Sequence, residues 1–93
     1  MTILQIKVED ARPVHASCDD QHLCVALADG RSLVAPLWWY PRLLSGNPEQ
    51  RQQIELSPLG VHWPSLDEDI SIASILRGER APGARMPAAP SPT

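Results

Sequence analysis

Phenylalanine is missing altogether, and the only aromatic side chains are Trp38, Trp39, Tyr40 and Trp63. A small core must therefore be filled by aliphatics and by whichever of those four rings turn inward. Lysine occurs once, at Lys7, and the formal net charge is −3. Residues 1–78 carry six basic and ten acidic side chains. Phosphate-backbone affinity arises when Lys and Arg displace condensed counterions, so this balance disfavours nucleic-acid binding by the chain alone. Apolar runs are short, well below the ~20 residues needed for a membrane helix. The start, Met1-Thr2-Ile3-Leu4-Gln5, lacks the basic and apolar regions of a secretion signal, so a cytoplasmic location is expected. There are two cysteines, Cys18 and Cys24, in a spacing that matches no zinc half-site. They are expected to be reduced thiols lying near each other across a hairpin, with no metal and no cofactor. A Gly-rich phosphate loop, a nucleophile elbow and an H-E-x-x-H helix are also lacking, which removes the common routes to an enzyme.

The 93 residues suffice for one domain. Leu4, Ile6 and Val8 alternate with polar residues, the period-two pattern of a strand with one wet face. Pro13 interrupts, and Val14–Cys18 continues as a short edge segment. Leu23, Val25 and Leu27 form a clear strand. Asp29-Gly30 then predicts a two-residue type I′ hairpin into residues 31–35. Both faces of this hairpin are apolar, so each calls for a cover.

After Pro36, a short helix is expected with Pro41 at its first position and Gly46 as its stop. Asn47-Pro48-Glu49-Gln50 reads as a capping box opening a polar helix from Pro48 to about Ile54. Residues 54–57 and 61–63 read as short strands around a Pro58-Leu59-Gly60 turn. Ile72, Ile75 and Leu76 share one face of a final helix that ends at Gly78. The acids Asp67, Glu68 and Asp69 are placed at its N-terminus, where the helix dipole favours negative charge. Residues 79–93 are rich in Pro, Ala, Gly, Ser and Arg and are predicted to be a disordered tail. The fold class expected is α+β: a small antiparallel sheet with short helices in a single domain over 1–78.

Two groups of residues stand out. Trp38, Trp39 and Tyr40, with Arg42 and Arg51, have the composition of an interface hot spot; the competing reading turns one or two rings into the core. His62 and Trp63 with Asp67, Glu68 and Asp69 form the only local cluster of titratable groups. His62 would act there as a general base or a metal ligand with Asp67 and Asp69, against simple helix capping by the acids. Arg42 and Arg51 either hold an anion with Tyr40 or pair with Asp67 or Glu68. His15 and His22 are expected at the solvent surface.

The strings Leu-Ala-Asp-Gly-Arg (27–31), Pro-Leu-Trp-Trp-Tyr-Pro-Arg-Leu (36–43), Arg51, and Gly-Val-His-Trp-Pro-Ser-Leu-Asp-Glu-Asp-Ile-Ser-Ile (60–72) resemble the uncharacterised bacterial family domain of unknown function 2442. The resemblance spans roughly residues 3–78. It implies a small α+β protein with no established activity, often encoded beside domain of unknown function 4160. That pairing implies an antitoxin-like member of a toxin–antitoxin pair. Some relatives add a helix-turn-helix, which residues 79–93 are not expected to form. The leading expectation is thus a non-enzymatic module that binds a small partner protein or itself. The alternatives are a small-ligand binder or enzyme built on His62, and a transcription-associated regulator whose partner supplies the DNA contact.

Overall fold

Backbone pairing, more than helix propensity, organises this chain. In the computed structural model, which describes residues 11–87, strands β1 (Pro13–Cys18), β2 (His22–Leu27) and β3 (Ser32–Pro36) form one antiparallel sheet in sequential order. A second antiparallel sheet joins β4 (Glu55–Ser57), β5 (Gly60–Trp63) and β6 (Glu68–Ser71). Between them run a 3₁₀ turn at Leu37–Trp39, α1 (Pro41–Ser45) and α2 (Pro48–Gln52); α3 (Ile72–Arg77) closes the fold. β1 lies beside β4 and β5, and α3 lies against β3 and β6, so each sheet's inner face looks onto a shared core. The architecture is α+β, with two small sheets where the sequence announced one. The expected strand at 4–8 lies outside the described residues.

Alternation in β2 sends Leu23, Val25 and Leu27 inward, where they meet Ala35, Leu37, Tyr40, Leu43, Val61, Trp63, Ile70, Ile72 and Ile75. The Asp29-Gly30 turn departs from the predicted type. Only Gly30 has positive φ, +96°, and Gly30 N–H donates to Leu27 O at 3.0 Å. A type I′ turn needs positive φ at both central residues. Here Leu27–Gly30 is the four-residue turn and Gly30, its last residue, takes the positive-φ position. Asp29 is held instead by Arg31, whose backbone N–H and guanidinium both donate to its carboxylate.

The register also separates the two cysteines. Cys18 faces Leu23 across the β1–β2 pair while Cys24 faces Ser17, which puts them on opposite faces of the sheet. Neighbouring strands bring them close in space without allowing a bridge, and both are free thiols. Burial pushes the Cys18 thiol up to about 11, so it is a poor nucleophile.

The capping box of α2 forms as its sequence announces: Gln50 N–H donates to Asn47 Oδ1 at 2.8 Å and Asn47 N–H to Gln50 Oε1 at 3.0 Å. The helix stops at Gln52 rather than Ile54. The acids at 67–69 do not begin α3. Glu68–Ser71 instead pairs with β5, setting Ile70 opposite Val61 in the core. That pairing satisfies backbone groups that an early helix start would leave to solvent. Ser71 caps α3 by accepting from Ser74 N–H at 3.0 Å. Gly60 permits the tight β5–β6 approach, because a Cβ there would lie 2.5 Å from Ile70 O.

Gly78, at φ +73°, ends α3 with paired bonds from Gly78 N–H to Ile75 O and from Glu79 N–H to Ser74 O. This reversal sends the chain back over the 3₁₀ turn, where Ala81 N–H donates to Trp39 O at 2.9 Å. Ala81 is thereby placed against the domain, packed on its core. Residues 88–93 of the predicted tail lie outside the described residues.

Candidate functional site

The four aromatic rings divide between core and surface. Trp63 and Tyr40 are buried, at 0 % and 3 % exposure, whereas Trp38 and Trp39 are half-buried. The 3₁₀ turn sets Trp38, Trp39 and Tyr40 in an edge-to-face ladder, with centroids 6.4 and 6.3 Å apart. The ladder runs from the surface into the core, a geometry favoured by the ring quadrupoles. Arg80 lies over its outer end, with Cζ 4.9 Å from the Trp38 ring centroid and 5.5 Å from that of Trp39. This cation–π contact is favourable by about 0.5–1 kcal/mol at an exposed site. Arg80 was hidden from sequence reasoning by its place in a Pro- and Ala-rich tail. The signal that reveals it is Gly78, since a left-handed helix stop turns the following residues back on the domain.

The two arginines of the sequence-derived hot spot part company. Arg42 is exposed; its guanidinium donates to Asp67 O and lies 3.6 Å from Asp67 Oδ2. That contact holds Asp67 in the left-handed conformation, φ 51°, which ends the 3₁₀ turn Pro64–Leu66. Arg51 is buried at 8 % exposure and does not reach Asp67 or Glu68. Its Nε donates to Leu43 O at 2.8 Å, one Nη to Leu44 O at 2.9 Å, and the other to Asp20 Oδ1 at 3.2 Å. Its own carbonyl accepts from Trp63 Nε1 at 3.0 Å. Arg51 thus donates to carbonyls at the end of α1 and ties α2 to β5, with its side chain buried rather than turned out to solvent.

His62 stands between Glu55 of β4 and Asp69 of β6 in the sheet register. Its Nδ1 is 3.3 Å from Asp69 Oδ1, yet it is screened from solvent and off the hydrogen-bond axis, so the pair is an electrostatic contact. His62 lines none of the clefts described below. The three acids diverge: Asp67 turns to Arg42, Asp69 to His62, and Glu68 into a cleft beside Tyr40. Among the described residues no group of three His, Cys, Asp or Glu side chains is placed to hold a metal.

That cleft has a volume of about 200 Å³ and is lined by Tyr40, Glu68, Asp69, Ile70, Ser74 and the returning segment Glu79–Pro82. A neighbouring hollow of about 230 Å³ shares Glu68, Ala81 and Pro82 and adds Pro41 and Arg42. Tyr40 Oη has no hydrogen-bond partner. Burial, assisted by the Glu68 carboxylate, raises the phenol to about 12, so it stays protonated at neutral pH. An orphaned buried hydroxyl costs roughly 1–3 kcal/mol. Tyr40→Phe is therefore expected to raise stability by about 1 kcal/mol, seen as an increase of a few degrees in Tm by calorimetry. A fall in Tm would show that the hydroxyl is satisfied.

Two facing three-stranded sheets, joined by short helices around one core, define a small α+β domain. No helix of the described residues is long and apolar enough to cross a membrane. The chain belongs to the family described as protein of unknown function (DUF2442), whose model matches residues 13–81. It is similar in structure to a protein of unknown function from Rhodospirillum rubrum, at TM-score 0.68 and 25 % identity over 78 % of this chain and 93 % of that one. It is likewise similar to an uncharacterized protein from Chromobacterium violaceum, at TM-score 0.66 and 28 % identity over 77 % and 70 %. No curated protein matches the chain.

Proposed function

We propose that this domain is a non-enzymatic protein-interaction module whose contact face is the ridge of Trp38 and Trp39 roofed by Arg80. The observation that carries this reading is the division of the aromatics. Tyr40 and Trp63 fill the core, while two indoles remain half-exposed with a guanidinium over them. Indole and Arg offer large contact area at low entropic cost, which is why they dominate interface hot spots. The partner is a small protein or a second copy of the chain, and the family's gene pairing favours an antitoxin-like role.

The test is to size the chain by sedimentation across micromolar to millimolar concentration, then to co-express it with the product of its neighbouring gene. The expected result is a stoichiometric complex or dimer, weakened at least about tenfold by Trp38→Ala or Trp39→Ala. A monomer that ignores its genetic neighbour would sink the proposal. The ligand-binding alternative on His62 is supported only by its contact with Asp69.

A further inference from the structure

The cleft beside the ridge has a chemistry of its own. Three side chains converge on it: Tyr40 ahead of α1, Glu68 on β6 and Ser74 on α3, while Asp69 borders it with its carboxylate turned to His62 on the other face of β6. Every one of them has acceptor capacity unspent. Ser74 Oγ donates to Ser71 O at 2.7 Å, which leaves its lone pairs open. Glu68 accepts only a 3.2 Å bond from the Asp69 backbone N–H. Tyr40 Oη is buried and without a partner. Of the other charges at the rim, Glu79 is engaged by Arg77, and the Arg80 guanidinium lies over the two indoles. The cleft is thus left with one carboxylate, that of Glu68, and the hydroxyls of Tyr40 and Ser74.

We propose that this cleft receives a primary ammonium group, the end of a lysine side chain presented by the partner protein. An ammonium is a compact charge with three donors that can point to acceptors on different elements. A guanidinium is a planar fork best matched to the two oxygens of one carboxylate, whereas the acceptors here sit on separate parts of the fold and suit a donor that points three ways. The cleft adjoins the indole ridge through Arg80 and Ala81, so a lysine flanked by apolar residues would engage both at once. That a protein carries the lysine rests on the interaction reading above. The preference of the cleft for an ammonium does not.

The experiment is a ¹H–¹⁵N titration of the full chain with Nα-acetyl-lysine methylamide, and in parallel with the isosteric but uncharged Nα-acetyl-norleucine methylamide. The lysine compound is expected to shift the amides of Glu68, Asp69, Ser74 and Ala81 along saturating curves; the norleucine compound is not. Glu68→Gln should weaken the lysine compound about tenfold, and Tyr40→Phe should weaken it severalfold without loss of fold. Equal binding of norleucine, or equal binding by the Glu68→Gln variant, would overturn the proposal. So would tighter binding of Nα-acetyl-arginine methylamide. Because the titration needs no partner, a monomeric chain that binds the lysine compound would reject the interaction reading and leave the cleft standing.

Discussion

Replacing Arg51 by Met should destabilise the domain by about 3 kcal/mol, although the substitution keeps the volume and removes no contact with any ligand. The reason is what the guanidinium leaves behind. Leu43 O and Leu44 O, at the end of α1, would lose the donors that reach them at 2.8 and 2.9 Å. Leu43 O would keep the N–H of Gly46 at 3.1 Å, so the larger cost falls on Leu44 O, since a carbonyl stripped of its donor costs its desolvation, which exceeds the net worth of the bond. Arg51→Lys should recover only part of the loss, since a single ammonium cannot span three acceptors set for a fork. The ion pair with Asp20 contributes little, because the Asp20 side chain is 89 % exposed. Asp20→Asn is accordingly expected to cost under about 1 kcal/mol. Urea unfolding of the three variants separates these terms; a benign Arg51→Met would show that water can replace the fork.

Trp63→Ala carries the larger expected effect, about 3–5 kcal/mol, from loss of the biggest fully buried side chain. In a domain of this size that corresponds to a fall in Tm on the order of 15–25 °C, close to unfolding under ordinary conditions. Trp63→Phe refills most of the volume but removes the indole N–H that donates to Arg51 O. Its expected cost is about 1–2 kcal/mol. Since Arg51 and Trp63 share that bond, their effects should be less than additive in the double variant. Fluorescence supplies a second readout. With Trp38 and Trp39 both changed to Leu, emission from Trp63 alone should be blue-shifted and protected from acrylamide. Strong quenching of that variant would place Trp63 at the surface and contradict the packing described here.

The two variants also show why the candidate site was only partly legible in the sequence. Arg51 and Arg42 look alike in composition, a few residues from the same aromatic run. One is buried and one exposed because α2 turns Arg51 toward the end of α1, a relation between elements that no local pattern encodes. Trp63 sits next to His62 in sequence, yet strand alternation sends one to the core and the other to the outer face. That division follows from the β5 pattern once the strand is recognised. The acids at 67–69 were the hardest case. A carboxylate run before an apolar 3.6-period stretch reads as a helix start, but pairing with β5 wins because it satisfies backbone groups on both strands at once.

Local chemistry alone determined several features: the alternation of β2, the Asn47–Gln50 capping box, Pro41 at the head of α1, Gly78 at the end of α3, and the acidic balance that disfavours a phosphate backbone. Each depends on neighbours within about four residues, where covalent geometry and side-chain size settle the outcome. The tertiary structure decided which indoles face out, that Arg80 covers them, that Arg51 is spent internally, and that Tyr40 and Glu68 share a cleft. Those outcomes join residues up to about forty positions apart, and they follow from which surfaces are left over once both sheets have closed on the common core.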